Sequence, residues 1–207
     1  MTGYLTPGGP GEAELVEKRS RFIGQVWPVE SEDEARARIE ETKKKHYDAR
    51  HNCWCFRLKA GTERYGDDGE PQGTAGQPML NVFQAGGVTD LVCVVTRYFG
   101  GVLLGAGGLV RAYSAAAKAA LDAAGLQRMA EWQSFALDCP YSLYERVKRL
   151  LESSEAVIER SDFGASVAIE ALLRADLAPE FQKNLSELTA GAVAAMPGDI
   201  CFRGVKI

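Results

Sequence analysis

The 207-residue chain has no disulfide framework. Its five cysteines are odd in number and scattered, at Cys53, Cys55, Cys93, Cys139 and Cys201, the pattern of reduced thiols in a cytoplasmic protein. Positive charge is not in excess either. Twenty-four Lys plus Arg stand against 28 Asp plus Glu, a net charge of −4, so any basic face is local rather than global. No apolar run approaches the ~18 residues that suggest a membrane-spanning helix. The opening segment has neither the basic start nor the apolar core of a secretory signal. No G-x-x-x-x-G-K-[ST] phosphate loop and no G-x-S-x-G nucleophile elbow occurs, which removes support for Walker-type nucleotide hydrolysis and for serine hydrolysis. What remains is a globular composition, 46% hydrophobic and 25% charged, long enough for one large domain or two small ones.

Residues 1–12 are dense in Gly and Pro and read as a flexible leader. Glu14–Val29 reads as one or two strands around the run Arg21–Trp27, ending at Pro28. Ser31-Glu32-Asp33-Glu34 then forms a capping box that opens a helix to about His46. His51–Leu58 alternates as a strand. The polar, glycine-dense stretch 61–78 is expected as one long loop, of the kind that is usually functional or mobile. Met79, Val82 and Phe83 mark a short helix, and Asp90–Tyr98 a strand buried on both faces. A glycine-rich turn follows, and from Leu109 an alanine-rich helical stripe runs to Gly125. Beyond a boundary placed near residue 130, the order strand, helix, strand, strand, helix, strand is that of a ferredoxin-like βαββαβ unit. The expectation is an α+β protein of two domains, 13–130 and 131–207.

Four constellations bear chemistry. A buried strand that leads through Gly100, Gly101, Gly105, Gly107 and Gly108 straight into a helix is a way to present backbone amides to an anion. Arg97, Tyr98 and Arg111 flank it, the arginines as phosphate partners and Tyr98 as a stacking surface, so a phosphate or a nucleic-acid backbone is the expected guest. Asp67, Asp68 and Glu70, with Thr74, form an acidic loop expected to face that site. Its spacing is not that of an EF-hand, and a solvated turn explains it better than a metal. His51, Cys53 and Cys55 share one strand face. Neighbours i and i+2 lie about 7 Å apart, too far for a Cys–His nucleophile pair, and no second Cys/His pair completes a zinc site. His51 and Asn52 therefore join the site only in a second tier, with Lys44 and Lys45 from the basic cluster at the first helix's end. No metal and no cofactor is expected.

Together these residues resemble a known family. His51-Asn52-Cys53-Trp54, then Asp67-Asp68-Gly69-Glu70-Pro71 with Gly73-Thr74-Ala75-Gly76 and Pro78, then Thr96–Gly101 and Leu104–Ser114 look like the signature of the IMPACT family in its bacterial YigZ-like branch. The tail with Tyr141-Ser142-Leu143-Tyr144 is similar to that family's small C-terminal domain. The resemblance implies an N-terminal domain like the second domain of ribosomal protein S-five and a ferredoxin-like C-terminal domain. It also implies kinship with eukaryotic regulators of translation, though for the bacterial branch it implies no established reaction.

The resulting expectation is a non-enzymatic cytoplasmic protein that acts in or regulates translation. Its glycine-rich, anion-binding face would contact RNA, the ribosome or a translation factor. DNA and membranes are not expected partners, and the oligomeric state is left open. The alternative is a magnesium-dependent enzyme for a phosphorylated metabolite or nucleotide, with the acidic loop holding the metal opposite the glycine turn.

Overall fold

The computed structural model describes residues 3–206. Contacts divide the chain into two compact units, built chiefly from residues 4–128 and 129–205. The sequence puts the boundary near residue 130. The observed division falls inside a strand, β7 (Leu126–Cys139), whose first residues belong to the first unit.

The first unit is a five-stranded antiparallel sheet ordered β2-β3-β6-β4-β5. Its strands are β2 (Gly11–Glu17), β3 (Ser20–Pro28), β4 (His51–Arg57), β5 (Glu63–Gly66) and β6 (Leu91–Tyr98). Helices α2 (Gly76–Ala85) and α3 (Ala106–Ala124) cover one face, where Met79, Phe83, Leu109, Tyr113 and Ala117 pack on Phe22, Cys53, Cys93 and Val95. Helix α1 (Glu32–Lys45) covers the other, with Ala35 and Ile39 against Phe56, Val92 and Val94. Alternate residues of β6 thus enter two different cores, which is why its sequence reads as a continuous apolar run. α1 starts where the capping box puts it: Ser31 Oγ accepts the Glu34 amide at 3.2 Å. Glu34 reaches back to the Glu30 amide at 2.8 Å, one residue earlier than the motif prescribes.

The leader reading is corrected. Residues 3–7 form β1 (Gly3–Pro7) and residues 11–17 form β2. Leu5 accepts the Thr89 amide at 2.9 Å, and Gly8 donates to the Gly125 carbonyl at 3.0 Å. A Cβ on Gly11 would lie 2.3 Å from the Ala120 carbonyl oxygen. There glycine permits a close approach to α3 rather than disorder. Residues 1 and 2 lie outside the described residues. The long loop is shorter than read: β5 and the start of α2 reduce it to residues 67–75, and α3 begins at Ala106 instead of Leu109.

The second unit runs β7, α4 (Tyr141–Ser153), β8 (Val157–Phe163), β9 (Val167–Arg174), α5 (Ala178–Thr189), β10 (Ala195–Lys206). β9 pairs antiparallel with β7 and with β8, and β10 also pairs β7. Phe135, Leu137, Ile169, Leu173, Val147, Leu151, Phe181 and Leu185 form its core. The architecture is mixed α+β in two domains. Among the described residues no helix is long and apolar enough to cross a membrane.

Candidate functional site

The acidic loop is committed to the chain's own backbone. Asp67 Oδ1 accepts the amides of Ala75 (3.1 Å) and Gly76 (2.8 Å), and Oδ2 accepts that of Gly73 (2.7 Å). This carboxylate supplies the N-terminal cap that the residue at the cap position of α2, Ala75, does not. Asp68 Oδ2 accepts the Asn52 amide at 2.7 Å, and Oδ1 lies 3.6 Å from Lys43 Nζ. Thr74 Oγ donates to the Pro71 carbonyl at 2.6 Å, closing the turn.

Glu70 goes inward. It is 8% exposed, and its Oε1 accepts from Arg97 Nη1 at 2.6 Å and from Tyr113 Oη at 2.8 Å. His51 Nε2 lies 3.8 Å from the same oxygen, while its Nδ1, facing the Asp68 carbonyl at 2.8 Å, acts as the donor. Arg97 is 5% exposed, and its second amino group reaches Ser20 Oγ at 3.4 Å. Burial, with Cys53 and Glu70 alongside, pushes the Tyr113 phenol well up. Burial likewise raises the Cys53 thiol, which donates to the Asp67 carbonyl at 2.9 Å and lies 3.4 Å from Tyr113 Oη. A thiol held protonated in this way is no nucleophile.

Sequence reading offers Arg97 to an external phosphate. The structure gives it to Glu70 instead, because a guanidinium on a fully buried strand requires an internal counter-charge. The amide of Gly100 is also taken, by Ser20 Oγ at 3.2 Å. A Cβ there would lie 2.0 Å from the carbonyl carbon of Arg19, so glycine is required by packing against the β2–β3 turn. The Tyr98 hydroxyl is held by His46 Nδ1 and Asp48 Oδ1, each at 3.0 Å. Burial lowers the His46 pKa, and Lys45 adds to the effect. Asn52 is tied internally to Thr96 at 2.8 Å. Lys44 is exposed, and Lys45 lies 4.0 Å from Glu12.

What stays on the surface is the rest of the glycine turn. Gly101, Gly105 and Gly107 are exposed and Gly108 half-buried, with Leu103 81% and Phe99 40% exposed. Gly105, at φ 73°, precedes the first turn of α3, which contains no acidic residue and receives no side-chain cap. The Arg111 guanidinium lies over that turn, 3.6 Å from where a Cβ on Gly107 would stand. Arg50 lies 5.7 Å from the centre of the Phe99 ring, which also contacts Arg97 at 5.4 Å. Among the described residues no group of three or more His, Cys, Asp or Glu is arranged to hold a metal.

The model of the Impact N-terminal domain matches residues 18–121, which contain the buried network and the glycine turn, and that of a domain of unknown function matches residues 137–192. The chain belongs to the IMPACT family. It is 35% identical to IMPACT family member YigZ of Escherichia coli, over 93% of this chain and 97% of that one. With IMPACT family member YvyE of Bacillus subtilis it shares 33% identity, over 98% of this chain and 94% of that one. Protein IMPACT homolog of Dictyostelium discoideum matches over 97 residues at 35% identity, 44% of this chain and 28% of that protein. A solved structure, titled as the crystal structure of a hypothetical protein, aligns at TM-score 0.61 with 33% identity over 96% of this chain and 98% of that one.

In this IMPACT-family chain Glu70, Arg97 and His51 come together, while Asp67 and Thr74 serve the loop itself and Asp68 ties it to Asn52. Ser20, Cys53 and Tyr113 belong to the network and are missing from the sequence-derived set. The signal for Tyr113 was present: a phenol in the middle of an alanine stripe demands a polar partner.

Proposed function

We propose that this IMPACT-family protein is a non-enzymatic binding module of the cytoplasm that acts in or regulates translation. Its glycine-rich turn and the start of α3 meet RNA on the ribosome or beside a translation factor. Family membership supports the setting. One observation carries the mode: the first turn of α3 is open, uncapped and free of acid, with Arg111 over it and Arg50 on the neighbouring Phe99. Backbone amides and two surface guanidiniums suit a phosphate backbone. The magnesium-enzyme alternative draws no support from this geometry. The carboxylates it would use cap α2, hold Asn52 and neutralise Arg97.

The test is titration of labelled single-stranded RNA at two salt concentrations, together with ribosome co-sedimentation before and after a salt wash. Binding is expected to weaken steeply with salt. Arg50→Ala/Arg111→Ala is expected to lower the salt slope by about two units. Absence of RNA binding and of ribosome association in the wild type, or a double variant that behaves as wild type, overturns the reading.

A further inference from the structure

We infer that the groove between the β2–β3 hairpin and α3 is a docking site for a short acidic–aliphatic peptide segment of a protein partner. The inference rests on the binding-module reading and adds a protein contact on the flank of α3 that faces β2, beside the RNA-facing turn. The groove encloses about 360 Å³, the size of a small-ligand site. Leu15 and Val16 of β2 form one wall; Leu104 of the glycine-rich turn and Ala112 and Ala115 of α3 form the other. No exposed aromatic ring lines it, since Phe22 at its floor is fully buried. A nucleobase would find nothing to stack on, whereas an aliphatic side chain fits such walls.

Charge selects the rest of the occupant. Lys18 and Arg111 sit on the rim with a single acid, Glu17. Among the described residues neither cation is ion-paired within the chain, while Arg21, Lys43, Arg57 and Arg97 of the same unit all are. The hairpin turn carries a second, independent mark. Glu17 pairs with Ser20, so Lys18 and Arg19 are the two loop residues, at φ 45° and 66°. A turn of this shape suits Asn-Gly, and two long cationic side chains in the left-handed region are strained. The hairpin holds them there against Gly100, the one residue that allows Arg19 so close. Cations kept in an unfavourable turn, beside an aliphatic groove with an unbalanced positive rim, complement a carboxylate next to a Leu, Ile or Val. The strand on this side, β2, is also the edge of its sheet, the position at which an extended segment adds.

The experiment is fluorescence anisotropy with a labelled octapeptide of alternating aspartate and leucine, an octapeptide of alternating lysine and leucine, and an octauridylate RNA. The acidic peptide is expected to bind and the basic one not. Ala115→Phe, which fills the exposed wall, and Lys18→Asn/Arg19→Gly are each expected to weaken the acidic peptide at least about tenfold. The hairpin pair, which relieves the turn, is expected to raise the melting temperature by about 2–4 °C. A rise in melting temperature with peptide affinity unchanged makes the turn purely structural and overturns the inference. So does equal binding of both peptides. RNA binding that Ala115→Phe abolishes puts a nucleotide in the groove, overturning the peptide while the binding-module reading stands. If no probe binds and ribosome association is also absent, both fail.

Discussion

Two glycine-rich segments lead into two helices on the same face of the first unit's sheet, and they end differently. At α2 the chain fills its own helix terminus: Asp67 takes the amides of Gly73, Ala75 and Gly76. At α3 it does not; no acid stands in the first turn, and the positive Arg111 lies over it. The same composition of small residues thus yields a closed structural joint in one place and an open, electropositive terminus in the other. The difference lies in where the carboxylates point. Asp67 turns along the backbone, Glu70 turns down onto Arg97, and none is left for α3. A glycine-rich strand-to-helix turn therefore signals an anion site only after the chain's own anions have been accounted for.

The comparison breaks most severely at Glu70. Glu70→Ala leaves the Arg97 guanidinium buried without its counter-charge. Urea denaturation is expected to show a loss of about 3–5 kcal/mol, largely recovered in Glu70→Leu/Arg97→Met. A loss below about 1 kcal/mol would mean that the pair is hydrated and the core looser than described. Asp67→Ala comes next: opening the α2 terminus is expected to destabilise by about 2 kcal/mol, with hydrogen exchange at the Gly73, Ala75 and Gly76 amides accelerated ahead of the sheet. The smallest effect sharpens the contrast from the other side. Ala106→Asp gives α3 the acid it lacks and is expected to stabilise by about 0.3–1 kcal/mol while weakening RNA binding in the anisotropy assay. Stabilisation without any change in RNA affinity would assign the open terminus no part in binding.

The elements were largely legible because their causes are local. The α1 cap needs only Ser31 and its neighbours, β6 announces itself by an unbroken apolar run, and the α3 stripe by its period. The first twelve residues misled because Gly and Pro signal freedom in a short window, whereas Gly11 serves a helix more than a hundred residues further on. The site was half legible. The residue types that gather there were picked out, but Arg97 was offered to a guest that it does not face. Its true partner, Glu70, lies 27 positions away, and Tyr113, which shares that carboxylate, lies 43 beyond Glu70.

Family, fold class and the identity of the chemistry-bearing residues were written in the order of the amino acids alone, since signature spacing, capping and periodicity are properties of neighbours. Which charges cancel and which remain for a partner was decided only by folding. A carboxylate's nearest cation is a matter of distance in space, and burial makes that distance worth several kcal/mol.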